Sequence, residues 1–357
     1  MRVVAAMSGG VDSSVVAGLL LEAGHEVIGV HMKLHDEPPA GAVADGKRCC
    51  GLDDAWDARR VADRLGIPFY VMDLRKAFEE AVMAPFTAEW VRGATPNPCV
   101  LCNGVLKFKV LLHRARALGA SHLATGHYAR ISEGGGLRMA ADRNKDQSYF
   151  LFPVTPVALG STIFPLGGLT KPEVRAEAER MGLVTAQKPE SQEICFIPDD
   201  DHAGFVSRQR PDLDGAGDIV DEAGAVLGHH DGYYRFTVGQ RRGLGIAAGS
   251  PLYVLRIDPE RRLVVVGPEE RLAHSALVAR DFNWFRRPEP GEAVMARIRH
   301  RGALIPVEGW TEADGQVGVA LRVPARAATR GQAVVLYSGE DVLGGGWIRD
   351  VRDAQGA

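Results

Sequence analysis

The chain has 357 residues, too many for one ordinary core, so two or three domains are expected. With 46% hydrophobic and 24% charged residues it reads as globular, and no apolar run approaches a membrane span. A net charge of −3 rules out bulk positive charge as a means of holding nucleic acid. The five cysteines (Cys49, Cys50, Cys99, Cys102 and Cys195) all precede residue 196. An odd number in one region points to redox, sulfur or metal chemistry rather than a disulfide framework.

Val3 to Met7 is an apolar strand that runs into the turn Ser8-Gly9-Gly10-Val11-Asp12-Ser13 and then a helix from Ser14 to Leu21. That start reads as a core strand and not a signal peptide, which makes the cytoplasm the expected location. Glu26 to Met32 is a second strand. Residues 36 to 51 are polar and glycine-rich and read as a mobile loop. Asp53 to Leu65 is helical, with Trp56, Val61 and Leu65 as its apolar face. Pro68 to Leu74 is a third strand, Asn103 to Leu118 a helix, and Ser121 to His127 a strand. Thr170 caps a further helix with Pro172 in its first turn. Strands alternating with helices imply a parallel sheet with a ligand at the carboxyl ends of the strands. Beyond residue 205 the pattern becomes short strands between close turns: 252–257, 263–266, 294–299, 317–321 and 333–337. The expected organisation is therefore a catalytic domain over 1–205, a small central β-rich domain over 206–274 and a C-terminal β-barrel over 275–357.

Strand, glycine turn and helix start together present backbone N–H groups to an anion. No lysine follows the glycines, so this is not a Walker loop. The glycines are adjacent, so it is not a dinucleotide fingerprint either. Gly9 and Gly10 permit close backbone approach, Ser8 and Ser13 add hydroxyls, and Asp12 is placed to cap the helix or hold Mg²⁺. The alternative is an ordinary capped glycine turn. The segment resembles the pyrophosphate loop of ATP pyrophosphatases, which split ATP to AMP and pyrophosphate while adenylating a substrate oxygen.

Asn97-Pro98-Cys99-Val100-Leu101-Cys102-Asn103 places two thiols three positions apart just before the expected helix, where a helix N-terminus would favour the thiolate. A buried pair or half a zinc site are the alternatives. Six segments in order now resemble the tRNA-specific 2-thiouridylase family: Ala6 to Ser13, Asn97 to Asn103, Ala124 to Arg130, Asn144 to Leu151, Glu190 to Pro198, and Gly239 to Gly245. The resemblance implies a Rossmann-like α/β catalytic domain of the adenine nucleotide alpha hydrolase type, with ATP and Mg²⁺ as cofactors. It implies ATP contacts from Ala6, Met7, Ser8, Gly9, Gly10, Val11, Asp12, Ser13, Met32 and Gly126. It gives Cys195 the role of persulfide carrier and Cys102 that of attacking nucleophile. Asn97, Pro98, Cys99, His127, Lys145, Asp146, Gln147, Arg299, His300 and Gln332 are the implied contacts with tRNA and its target base. The implied partners are tRNA and a sulfur donor, either a cysteine desulfurase or a relay protein.

The chemistry is consistent with those parts. The C2 oxygen of uracil leaves poorly until adenylated, and two exchanging thiols deliver sulfur without free sulfide. Two departures stand out. The family often has Asp at Cys99 and Arg-Tyr at Arg299-His300. A third cysteine raises a second expectation, a [4Fe–4S] cluster on Cys99, Cys102 and Cys195. Rival functions are another adenylating synthetase, which needs no thiols, and a non-catalytic ATP-bound RNA-binding protein. Arg280, Arg286, Arg287, Arg297, Arg299 and Arg301 surround Trp284 and Phe285, a pattern that suits RNA. The preferred reading of the two aromatics is barrel core, and of the arginines on strands a solvated face.

Overall fold

The computed structural model describes residues 1–36, 52–190, 194–197 and 200–353. Cys49, Cys50 and nearly all of the expected loop at 36–51 lie outside the described residues, as do Ser191, Gln192, Glu193 and Pro198. The chain divides into two compact units. One comprises 1–83, 99–200 and 340–342, and the other 84–98, 201–339 and 343–357.

The first unit is built on strands β1 (Arg2–Ala6), β2 (Glu26–Lys33), β3 (Phe69–Asp73), β4 (His122–Ala124), β5 (Ala129–Ile131), β6 (Leu137–Met139) and β7 (Thr162–Ile163). Five of them form one sheet in the order β3-β2-β1-β4-β7, parallel throughout. β1 is central, with Val3, Val4 and Ala5 fully buried, which is why it reads as an unbroken apolar run. Helix α1 (Val11–Glu22) crosses from β1 to β2 and has no polar face, because Val15, Val16, Ala17 and Leu20 are all buried. Helix α2 (Leu52–Leu65) buries Ala58, Val61 and Ala62. Trp56, expected on that face, is instead 65% exposed. A capping box between Thr170 and Glu173, with Pro172 behind it, starts the helix Lys171–Arg180 as the sequence suggests.

The thiol helix departs from expectation. It begins at Pro98–Leu101, widens to π geometry over Cys102–Leu111 and closes as Leu112–Ala117. Cys102 therefore lies inside the helical run and not ahead of it. π segments of this kind cluster at functional sites.

In the second unit, helix Ala84–Val91 is joined to helix His202–Gln209 by aromatic contacts. Phe86 meets Phe205 edge-on at 5.9 Å, and Trp90 stacks on His202 at 4.2 Å. Strands β8 (Gly217–Val220), β9 (Val226–His230), β10 (Tyr253–Asp258) and β11 (Leu263–Gly267) form a sheet in the order β10-β11-β8-β9. Then come β12 (Ala273–Trp284), β13 (Met295–Arg297), β14 (Ile305–Ala313), β15 (Gln316–Arg326), β16 (Ala333–Ser338) and β17 (Asp341–Asp353). These run β12-β15-β14-β13-β16-β17, and pairing of β12 with β17 closes a six-stranded barrel. Its interior is filled by Leu277, Val319, Leu321, Val334, Leu336 and Leu343. Closure removes the exposed edges that such short strands would otherwise present.

Candidate functional site

The phosphate loop is held from both sides. β1 delivers Met7, whose N–H donates to the Val30 carbonyl at 2.8 Å, while buried His31 places Nδ1 2.9 Å from the Met7 carbonyl. Burial pushes the His31 pKa down, so the ring is neutral. Gly9 has φ +83°, and a Cβ there would lie 2.2 Å from the Asp54 carbonyl oxygen, so only glycine fits. Gly10 is the N-cap of α1, with no side-chain cap, which leaves the first N–H groups of the helix for a ligand. Ser13 Oγ accepts from the Ser8 N–H at 3.1 Å and donates to the Gly10 carbonyl at 3.0 Å. Its hydroxyl therefore shapes the loop from within. Gly126 follows β4 and lies against Asp12 and Ser13, where a Cβ would come to 3.2 Å. Ala6 ends β1, and Met32 lies near the carboxyl end of neighbouring β2, in register with Met72.

Asp12 anchors a network that spacing does not reveal. Its Oδ1 accepts from Tyr128 Oη at 2.8 Å and from Lys171 Nζ at 2.7 Å. Lys171 is 7% exposed and also pairs with Glu190 at 2.6 Å, and Glu190 in turn binds Lys145 at 2.6 Å. Burial pushes the Glu190 carboxyl up, but the hydrogen bonds from Lys145 and Lys171 outweigh it and hold the group below its usual range. Burial, and then the Asp12 carboxylate, drive the Tyr128 phenol far up, so it stays a donor. A second, half-buried ion cluster lies beside the loop, with Lys188 2.6 Å from both Asp54 and Asp57. Tyr128 and Glu190 lie inside segments that already marked the family, so their presence was signalled. Lys171 appeared only as part of a helix start.

The sulfur half is built differently. None of Cys99, Cys102 and Cys195 is in a disulfide. Cys99 is exposed, Cys195 half-buried and Cys102 buried. Burial raises the Cys102 pKa, and the nearby Lys107 charge only partly opposes it. This corrects the expectation of a helix-activated thiolate: with the helix begun at Pro98, desolvation governs the thiol. Lys107 donates to Asn103 Oδ1 at 2.9 Å and lies 3.5 Å from His127 Nε2. Thr125 Oγ1 lies 2.8 Å from His127 Nδ1. Burial first, then the Lys107 charge, push His127 well below its usual pKa, so it is a neutral ring. Phe196, next to Cys195, packs edge-on against Phe78 at 5.5 Å. Among the described residues no group of three or more His, Cys, Asp or Glu is arranged to hold a metal. The cluster on Cys99, Cys102 and Cys195 is therefore unsupported, because its three thiols are not gathered.

The other sequence-derived positions are scattered in role. Asp146 is 3% exposed, and its carboxylate accepts from Ala140 N–H, Ser148 N–H and Ser148 Oγ. Gln147 Oε1 accepts from Tyr128 N–H at 3.0 Å. In the second unit, Gln332 Nε2 donates to the Thr95 carbonyl at 2.9 Å, on the segment that leads to Asn97 and Pro98. Arg299 donates to the carbonyls of Arg326 and Ala327, and His300 is partly buried. The arginine-rich stretch is not a bare basic face. Arg280 pairs with Asp281 and Glu89, Arg286 with Glu292, and Arg287 with Glu312.

Three family models follow one another along the chain: a tRNA methyl transferase HUP domain over residues 1–199, a tRNA methyl transferase PRC-barrel domain over 203–268 and an aminomethyltransferase β-barrel domain over 274–348. Their methyl-transfer descriptions differ from the names of the full-length relatives. The tRNA-specific 2-thiouridylase MnmA of Geobacter metallireducens is 53% identical over 357 residues, 97% of this chain and 96% of the relative. That of Geotalea uraniireducens is 51% identical, over 97% of this chain and 94% of the relative. The chain belongs to the tRNA-specific 2-thiouridylase family. A third 2-thiouridylase, from Rhodospirillum rubrum, is 50% identical over 97% of this chain and 96% of its own. Among solved structures, a 4-thiouridine synthetase–RNA complex with bound ATP overlaps loosely, with a TM-score of 0.37 at 17% identity over 59% of this chain and 50% of that one.

Proposed function

We propose that this chain is a tRNA-uridine 2-sulfurtransferase that adenylates the C2 oxygen of the wobble uridine and replaces it with sulfur. The observation that carries this reading is the occurrence, in one compact unit, of the Ser8–Ser13 loop with its Asp12–Lys171–Glu190 network and of the reduced thiols Cys102 and Cys195. The uridine oxygen attacks the α-phosphorus of ATP, the α–β bridging bond breaks and pyrophosphate leaves. The N–H groups at the start of α1 and the Lys171 ammonium face that charge. Asp12, whose Oδ1 takes Tyr128 and Lys171, is the carboxylate that would hold Mg²⁺, and the ion would supply charge neutralisation of the departing pyrophosphate.

Sulfur arrives as a Cys195 persulfide loaded by a cysteine desulfurase or relay protein. The Cys102 thiolate attacks the inner sulfur of that persulfide. A Cys102–Cys195 disulfide forms, hydrosulfide is released and attacks C2, and AMP leaves. A thiol reductant then restores both cysteines. Neutral His127 lies beside the Lys107 ammonium on the thiol helix. Asn97, Pro98, Cys99, His127, Lys145, Asp146, Gln147, Arg299, His300 and Gln332 are assigned to tRNA, Asp146 by shaping its loop and not by touching RNA. The tRNA substrate puts this work in the cytoplasm, and no helix among the described residues is long and apolar enough to cross a membrane. Incubation of the full chain with tRNA transcript, ATP, Mg²⁺ and a persulfide donor tests the reading. Digestion and mass spectrometry should show one 2-thiouridine per tRNA and one pyrophosphate released. Pyrophosphate release without tRNA, or a product thiolated elsewhere than C2, overturns it.

A further inference from the structure

A cavity of about 300 Å³ opens on the barrel, walled by Phe282, Trp284, Arg287, Glu312 and the Asp314–Gly315 turn. That volume is at the small end of ligand sites, enough for one nucleoside-sized group. The aromatic wall is made by Phe282 and Trp284, whose rings are tilted against each other, and Trp310 packs on Trp284. The Trp284 ring lies 4.5 Å from Phe282 and 5.3 Å from Trp310. The Arg287 guanidinium sits 4.6 Å over Trp284 and 6.0 Å from Trp310, and is ion-paired to Glu312. Trp284 is only half-buried: it packs on the barrel core and also borders the cavity. Both readings of this residue in the sequence, core and base-stacking, are therefore compatible with its position.

We infer that this cavity takes one unstacked nucleobase of the RNA substrate, distinct from the uridine that is modified. The inference rests on tRNA being the substrate. The chemistry selects a base over the other groups RNA offers. Indole and guanidinium planes stack on any base. The Arg287 fork donates and the Glu312 carboxylate accepts beside those planes, which matches a base edge carrying both kinds of group. A phosphate is a poor occupant, because Glu312 neutralises Arg287 and Asp314 adds a further negative charge. A cationic side chain of a protein partner is equally poor, because Arg287 already places a like charge at the cavity and offers its own guanidinium plane for stacking.

The test uses the full chain uniformly labelled with 5-fluorotryptophan, with Trp284→Phe and Trp310→Phe assigning the two resonances. Saturating tRNA transcript should shift the resonance of Trp284, which borders the cavity, and a fully paired RNA duplex at equal concentration should not. Arg287→Ala, an exposed position, should raise KM for tRNA about fivefold to tenfold at unchanged kcat, with no change in the slope of log affinity against log salt. Trp284→Phe should retain affinity within about twofold and Trp284→Ala should lose it by about tenfold or more. A Trp284 resonance unmoved by tRNA, an equal shift with duplex, or a salt slope reduced by about one in Arg287→Ala each overturn the inference, the last by making the contact a phosphate. If tRNA thiolation itself fails in the wild-type chain, it is the functional reading that falls. With thiolation intact, these shifts judge the cavity alone.

Discussion

The phosphate loop and the thiol helix share one compact unit but solve opposite problems. Around the loop, nearly every polar group has a charged or hydrogen-bonding partner at 2.6–3.1 Å, from the Ser13 hydroxyl to the Lys188 ammonium. At the thiols the governing force is desolvation: Cys102 is buried and its pKa raised, with one offset lysine charge nearby. The nucleotide half is thus preorganised for a charged ligand, whereas burial at the sulfur half withholds the Cys102 thiolate. Withholding has a chemical use, because an exposed thiolate would react with stray oxidants.

Separating the halves by mutation gives the largest effect. Cys195→Ser should lower 2-thiouridine formation by about 10³-fold or more while leaving tRNA-dependent pyrophosphate release within about twofold. Loss of both activities together would mean the halves are not separable. Next, Lys171→Ala should lower pyrophosphate release by about 10²-fold, and Lys171→Arg should recover only part of it, since a planar fork cannot replace a buried ammonium between Asp12 and Glu190. Full recovery would make the contact a generic charge. Gly9→Ala should destabilise the protein by about 2–3 kcal/mol in denaturant melts, because the added Cβ meets a backbone carbonyl at a positive φ. A stable variant would place the loop differently.

The pH profile sharpens the comparison further. Since burial raises the Cys102 pKa, single-turnover sulfur transfer should climb about tenfold per pH unit through neutrality and beyond the ordinary thiol range, while adenylation stays flat. Lys107→Gln should move that limb still higher, since it removes the one charge that favours the thiolate. A limb at or below the ordinary thiol value would show the thiolate to be activated after all. The smallest effect is expected at Arg299. Arg299→Ala should weaken tRNA binding about threefold and reduce the salt slope by about one. An unchanged slope would leave Arg299 only as a strut between its two carbonyl partners.

The loop was legible because its constraints are local: a glycine turn between a buried strand and a helix start has few other uses. The alternation of strands and helices gave the parallel sheet, and close turns gave the barrel, for the same reason. The Asp12–Lys171 pair was not legible, because its partners are 159 residues apart and nothing in either neighbourhood requires the other. The state of Cys102 was misread for a more general reason. The helix expected from Asn103 begins instead at Pro98, more than a turn earlier, which puts Cys102 inside it. Burial depends on what packs around a residue, which spacing does not encode. Trp56 shows the same limit from the other side, since helical periodicity placed it in a core that Ala58, Val61 and Ala62 fill without it.

The Lys171 contact sets the charge balance of the phosphate loop. Its ammonium is already balanced by Asp12 and Glu190, so the resting loop is a closed internal salt and not an open positive hole. A nucleotide that draws on Lys171 would therefore bind by ion exchange against Asp12 and Glu190. Such an exchange discriminates by charge density, since weakly charged anions would gain too little to displace the carboxylates.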